Sequence, residues 1–176
     1  TSDLYQEIPE FKGNDILFSG HCYQSPQYFS DYIPEVKQLF RTEKETIPGS
    51  LGVHLRIGDY QGLEGYHRIP SIGYYMQGVS MFPDYKIYYF TDTPDHQNVQ
   101  NMMFLHPGEL VTSDPFEAFS LLTRMDAYVL SPSTYSWWGS FLGHDDAPVV
   151  APSRWNGPFL PHPVDLYLPK WKILPV

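Results

Sequence analysis

Four short apolar runs mark strands: Leu51 to Leu55, Lys86 to Phe90, Ala127 to Leu130 and Val149 to Ala151. Each is rich in aliphatic and aromatic residues and closed by turn formers. Between them apolar residues recur at helical spacing, predicting helices over Ser71 to Met81, Pro115 to Met125 and Ser136 to His144, with a shorter one from His96 to Met103. Asp114 before Pro115 supplies an N-cap and a first-turn residue that needs no amide partner. Strands alternating with helices require right-handed crossovers, which build a parallel sheet. Residues 49–176 therefore read as an α/β, Rossmann-like domain.

The first 48 residues follow another pattern. Tyr28, Phe29, Tyr32, Ile33, Val36, Leu39 and Phe40 fall near the helical period, and Pro34 bends or restarts that helix. Thr42 to Ser50 is charged, ends in Pro-Gly-Ser and reads as a linker. Residues 1–48 are thus expected to be a partial segment of an N-terminal domain, with upstream sequence missing. The tail from Pro152 has little periodicity and is expected to wrap back over the sheet without forming a new element.

Composition narrows the partners. A formal net charge of −9 argues against nucleic acid or an anionic membrane, both of which need a basic footprint. Aromatics make up 16% of the chain, with 14 Tyr, more than core filling requires; such residues flank sugar-binding clefts and protein interfaces alike. The single cysteine, Cys22, leaves no internal disulfide and fits a reducing compartment. No run is long enough for an integral membrane segment, so a soluble, cytoplasmic protein is expected.

The chemistry gathers at strand ends. Leu51-Gly52-Val53 runs into His54-Leu55-Arg56-Ile57-Gly58-Asp59-Tyr60, handing charge to the edge where open α/β sheets bind ligands. Arg56 beside a tight Gly turn suits a phosphate, although with Asp59 it could form only a surface ion pair. His54 alternates with Val53 and Leu55, so it is either a buried core histidine or a cleft residue. Asp92 ends Tyr88 to Asp92 in the same way; it either accepts from a ribose or base or makes an Asx turn before Pro94. Ser131, Ser133, Thr134 and Ser136 sit where a strand turns into a helix, an anion site or an ordinary cap. The adjacent Trp137 and Trp138 point to different faces, so this string is expected to do more than fill one core stripe. His106, His144 and His162 lack metal-ligand spacing, and no metal is expected.

These strings, taken together, resemble the α-1,2-fucosyltransferases of glycosyltransferase family 11. The resemblance is carried by His54 to Tyr60, by Tyr88 to Pro94 and by Ser131 to Gly139, in the family's order. Gln24-Ser25, Tyr28-Phe29, Ala151-Pro152, Trp155 and Pro169-Lys170-Trp171 add to it. It implies the donor-binding, Rossmann-like half of a GT-B enzyme that moves L-fucose from GDP-fucose to a sugar 2-hydroxyl, with inversion and without a metal or other cofactor. The partners it implies are a nucleotide-sugar donor and a glycan acceptor. An apolar face exposed by a missing domain would favour a homo-oligomer.

In that frame Arg56 contacts the β-phosphate of the leaving GDP, with Ser133, Thr134 and Ser136 as further donors. Asp59 is the candidate general base, with His54 behind it. Two positions depart from the family. Ile57 stands where a second Arg is usual, and Ala118 where the helix often carries an Asp. In related fucosyltransferases an acid in this helix reads guanine, so either Glu117 or Asp114 stands in, or the donor differs. The rival expectations are another nucleotide-activated deoxyhexose as donor, and a non-catalytic nucleotide- or carbohydrate-binding module.

Overall fold

The computed structural model describes residues 25–41 and 45–176; the Cys22 and Gln24 expectations fall outside them. Six strands form one sheet in the order β3-β2-β1-β4-β5-β6. They are β1 (Ile47–Leu55), β2 (Lys86–Thr91), β3 (Glu109–Leu110), β4 (Met125–Val129), β5 (Val149–Pro152) and β6 (Lys172–Leu174). Every pairing is parallel. The order reverses between β1 and β4, the topological switch point of a doubly wound sheet.

Helices cover both faces, which is why the central strands are apolar almost throughout. On one face α2 (Ile72–Ser80) and α3 (Gln97–Leu105) bury Tyr74, Tyr75, Val79, Val99 and Met102 against Leu51, Val53, Leu55 and Ile57. On the other, α4 (Pro115–Leu122) packs Ala118 and Leu122 on Tyr88, Phe90, Tyr128 and Leu130. The strand period of two thus sends alternate residues of β1 to opposite sides. Gly52 faces the α4 side; a Cβ there would lie 2.8 Å from Met125 Cγ, so only glycine lets Met125 and Leu122 close over β1.

The helix starts follow their caps. Ser71, Asp114 and Ser133 each accept from a first-turn amide, and His96 does so through its ring. Consequently α5 (Thr134–Leu142) begins two residues earlier than the apolar period alone suggests. The 3-10 helix Pro26–Tyr32 gives way to α1 (Ile33–Phe40), with Pro34 in its first turn, the restart expected of that proline.

Three expectations are corrected. The Pro-Gly of the linker lies inside β1: Pro48 and Gly49, whose φ is 66°, make an irregularity between Ile47 and Leu51. Asp126 Oδ2 accepts the Gly49 amide at 2.8 Å, so side chains replace the ladder bonds lost there. The tail does form a new element: β6 pairs with β5, Ala151 opposite Ile173, too short and too close to Pro169 and Pro175 to show a period. Finally, both tryptophans serve one cluster. Trp137 stacks on Phe141 and donates to the Leu166 carbonyl at 2.8 Å, while Trp138 stacks on Phe29. The segment before β1 and the tail give α5 a second layer, which a single-stripe argument could not anticipate.

Among the described residues, no helix is long and apolar enough to cross a membrane.

Candidate functional site

Register brings the site together. Leu55 lies opposite Thr91 and Val53 opposite Val129, so Arg56, Asp92 and Ser131 leave the sheet side by side at the switch point. A cleft of about 250 Å³ opens from there across the ends of β2 and β3. His54, Arg56, Thr91, Asp92 and Ser113 give it a polar side; Phe90, Val111, Pro115, Ala118 and Tyr135 give it an apolar one.

Arg56 is the cation of this cleft. Its NH2 meets Asp59 Oδ2 at 2.8 Å and its NH1 meets Asp92 Oδ2 at 3.3 Å, with the guanidinium 5.7 Å from the Tyr60 ring. Partial burial works against its charge, but Asp59 and Asp92 outweigh that and raise its pKa further. Both carboxylates do not hold it equally. The Asp59 side chain is 61% exposed, and such a screened pair is worth about 0–1 kcal/mol. Asp92 is 22% exposed and bound on several sides.

Asp92 has become the keystone of the turn. It accepts the Ile57 amide at 3.2 Å and contacts the Gly58 amide, Arg56 and the Thr93 hydroxyl. Partial burial would raise its pKa, but those amides and Arg56 hold it below the usual carboxylate range. A Cβ on Gly58 would come within 2.6 Å of Asp92 Oδ2, so the glycine of the motif is there for close approach. Asp92 therefore spends acceptor capacity on the turn that follows β1, 35 residues away in the chain; this is not the Asx turn expected before Pro94, whose nitrogen carries no hydrogen to donate.

His54 is buried yet borders the cleft, tilted against Tyr135 at 5.3 Å. Its Nδ1 lies 2.7 Å from Ser131 Oγ, an oxygen that also accepts the Arg56 amide at 3.2 Å. Burial, helped by the Arg56 charge and opposed by Asp92, lowers its pKa to about 3. His54 is thus a neutral imidazole at neutral pH.

The serine-rich turn is largely committed to itself. Ser133 caps α5 by accepting the Tyr135 amide, and the buried Ser136 hydroxyl donates to the Ser131 carbonyl at 3.0 Å. Thr134 is exposed on the first turn of α5. None of the three lines the cleft, whose contribution from this string is Tyr135. Tyr135 escaped notice in the sequence because it sits among the capping hydroxyls; its one signal is its position in the first turn after a strand end. Glu117 is also outside the cleft: it is exposed and lines a separate surface groove with Phe116, Ser120 and Arg124. Asp114 is used as the α4 cap. No three His, Cys, Asp or Glu side chains among the described residues converge to hold a metal ion.

Residues 34–174 match glycosyl transferase family 11. The chain belongs to that family. The strings His54 to Tyr60 and Ser131 to Gly139, which carried the resemblance, both lie inside the match. No curated protein matches the sequence. Among solved structures, Thermosulfurimonas dismutans KpsC, beta Kdo 2,7 transferase, aligns with a TM-score of 0.49 and 11% identity, covering 84% of this chain and 45% of that one. The family 11 chain therefore spans less than half the length of that protein, and so distant a likeness carries no weight here.

Two departures from the family's usual motif acquire a place. Ile57 is 2% exposed and packs into the α2 and α3 side of the sheet, away from the cleft. Its exchange for Arg therefore removes no cation from the cleft as it is built here. Ala118, by contrast, lines the cleft, where it presents a methyl group in place of an acid.

Proposed function

We propose that this chain is the donor-binding part of an inverting, metal-independent glycosyltransferase that moves L-fucose from GDP-fucose to the 2-hydroxyl of a glycan acceptor. One observation carries the reading: Arg56 stands at the switch point with a cleft in front of it, apolar on one side and polar on the other. A nucleoside diphosphate has that same division, a flat base and a charged tail. When the glycosidic bond to the donor breaks, negative charge grows on the β-phosphate, and a preorganised guanidinium stabilises it in the transition state. Arg56 has N–H groups beyond those facing Asp59 and Asp92, and the weak Asp59 pair can open to release more.

Asp59 is then the group that takes the acceptor's proton. It is exposed, sits next to the phosphate-binding cation and is freed when a phosphate takes over Arg56. The Asp59→Asn substitution should cut transfer far more than GDP binding; an equal loss of both would assign Asp59 a structural role.

Ala118 in the cleft favours a second reading, in which the donor carries another nucleotide-activated deoxyhexose. Calorimetric titration with GDP, UDP and dTDP, each with and without EDTA, separates the two. EDTA-insensitive preference for GDP supports the first reading, and preference for another nucleotide supports the second. Binding without any transfer from the matching sugar nucleotide would leave a nucleotide-binding module.

A further inference from the structure

We propose that Ser131 is a positioning residue that fixes His54 as the tautomer protonated on Nε2, so that His54 meets the ligand as a hydrogen-bond donor and does not act as a base. The tautomer follows from the bonds around one buried oxygen. Only the identity of its acceptor, an oxygen of a nucleoside diphosphate, rests on the functional reading above.

Ser131 is 0% exposed, so water cannot complete its hydrogen bonds. Its Oγ accepts the Arg56 amide, which has no freedom to be anything but a donor. Among the described residues, its other hydrogen bond of ordinary geometry is to His54 Nδ1 at 2.7 Å. A hydroxyl has one hydrogen to give and two lone pairs with which to accept. If Nδ1 donated to Oγ, both lone pairs would be taken, and the serine hydrogen would be left in the interior with no acceptor of ordinary geometry. If the serine donates to Nδ1, the hydroxyl and the ring nitrogen are both satisfied and the imidazole proton must sit on Nε2.

The Tyr75 hydroxyl is the other polar group close to Ser131; it is buried and makes no hydrogen bond of ordinary geometry. Donating to Oγ, it would fill the second lone pair and enforce the same tautomer. The opposite tautomer requires Tyr75 to accept the serine hydrogen instead, a contact whose geometry is not formed.

On the other side of the ring, Nε2 makes no hydrogen bond to any of the described residues, and the ring borders the cleft. Burial and the Arg56 charge keep the imidazole neutral, which preserves one donor and one acceptor nitrogen. The acceptor nitrogen is occupied by Ser131, so the cleft is offered an N–H. Arg56 and His54 then present two adjacent donors to an oxygen-rich ligand, and proton abstraction from the acceptor sugar falls to another group.

Long-range proton–nitrogen correlation spectra of the nitrogen-15-labelled chain at pH 7 read the tautomer directly, with the His54 signals identified by their loss in H54Q. The expected result is a bare Nδ1 and a protonated Nε2. In S131A the two tautomers should mix and GDP affinity should fall about tenfold, the worth of one misdirected hydrogen bond. S131T keeps the hydroxyl and should restore both. A proton on Nδ1, or on both nitrogens, in the unaltered chain overturns the proposal, as does S131A with an unchanged tautomer and affinity. Should S131A fail to fold, the spectra of the unaltered chain and of S131T decide the matter. Absence of GDP binding by the unaltered chain overturns the donor reading and the ligand named here, whereas the spectrum alone decides the tautomer.

Discussion

The turn from Arg56 to Tyr60 and the turn from Ser131 to Trp138 lie next to each other at one edge of the sheet, joined where the Tyr60 hydroxyl donates to the Pro132 carbonyl at 2.9 Å. They use their polar groups in opposite ways. The first turns a guanidinium toward the cleft and ties its backbone to Asp92. The second directs its serine hydroxyls inward, to caps and carbonyls, and its indoles into a cluster with Phe29, Phe141, Trp155 and Leu166. Ser131 belongs to both, because its oxygen receives the Arg56 amide and meets the His54 ring. Two equally conspicuous strings therefore have different work: one turns charge toward the cleft, and the other spends its serines and indoles on caps and packing.

The contrast can be tested from its largest expected effect downward. Trp137→Ala removes a stacked, hydrogen-bonded indole and should lower unfolding free energy by about 3–5 kcal/mol in urea. Nucleotide affinity of the molecules that remain folded should be unchanged; a specific loss of affinity would erase the distinction between the two turns. Arg56→Ala should do the reverse, costing about 2–4 kcal/mol of transition-state stabilisation in transfer assays. Turnover near normal in that variant would remove the phosphate contact from Arg56.

Acid sharpens the same boundary. His54 has a folded pKa of about 3 against an ordinary 6.5, so below pH 6.5 the unfolded chain takes up a proton the folded one refuses. Stability is full above pH 6.5 and falls as pH drops toward the folded value. Between pH 6.5 and pH 5 the loss should be about 2 kcal/mol, measured by urea unfolding. H54Q should reduce that slope to the part contributed by His162, which burial and Arg154 also lower, since the carboxylates with lowered values, Asp92 and Asp145, titrate further into acid. The smallest effect belongs to Glu117→Ala, at an exposed site outside the cleft. It should change GDP affinity and stability by less than about 0.5 kcal/mol.

Much of the frame was legible in the chain. Apolar runs closed by turn formers located four strands, and the Asp114-Pro115 cap located the start of α4, because such signals depend on residues close in sequence. The strands too short to have a period, Glu109–Leu110 and Lys172–Leu174, were not legible. Nor was β1's extension through Pro48 and Gly49, where Asp126 from a distant strand replaces the ladder.

At the site, the sequence by itself determined that a basic, glycine-turned loop would follow a central strand, and which residues it would hold. Strand alternation further places His54 and Arg56 on one side and Ile57 on the other. Only the tertiary structure decided how those groups are spent. Asp92 serves the turn because the β1–β2 register sets it against Gly58, while Glu117 and Ala118, neighbours in sequence, face different surfaces of one helix. Ser131 and His54 are 77 residues apart in the chain and meet across adjacent strands. A hydrogen bond fixes a tautomer only at contact distance, and contact between distant residues is what folding adds.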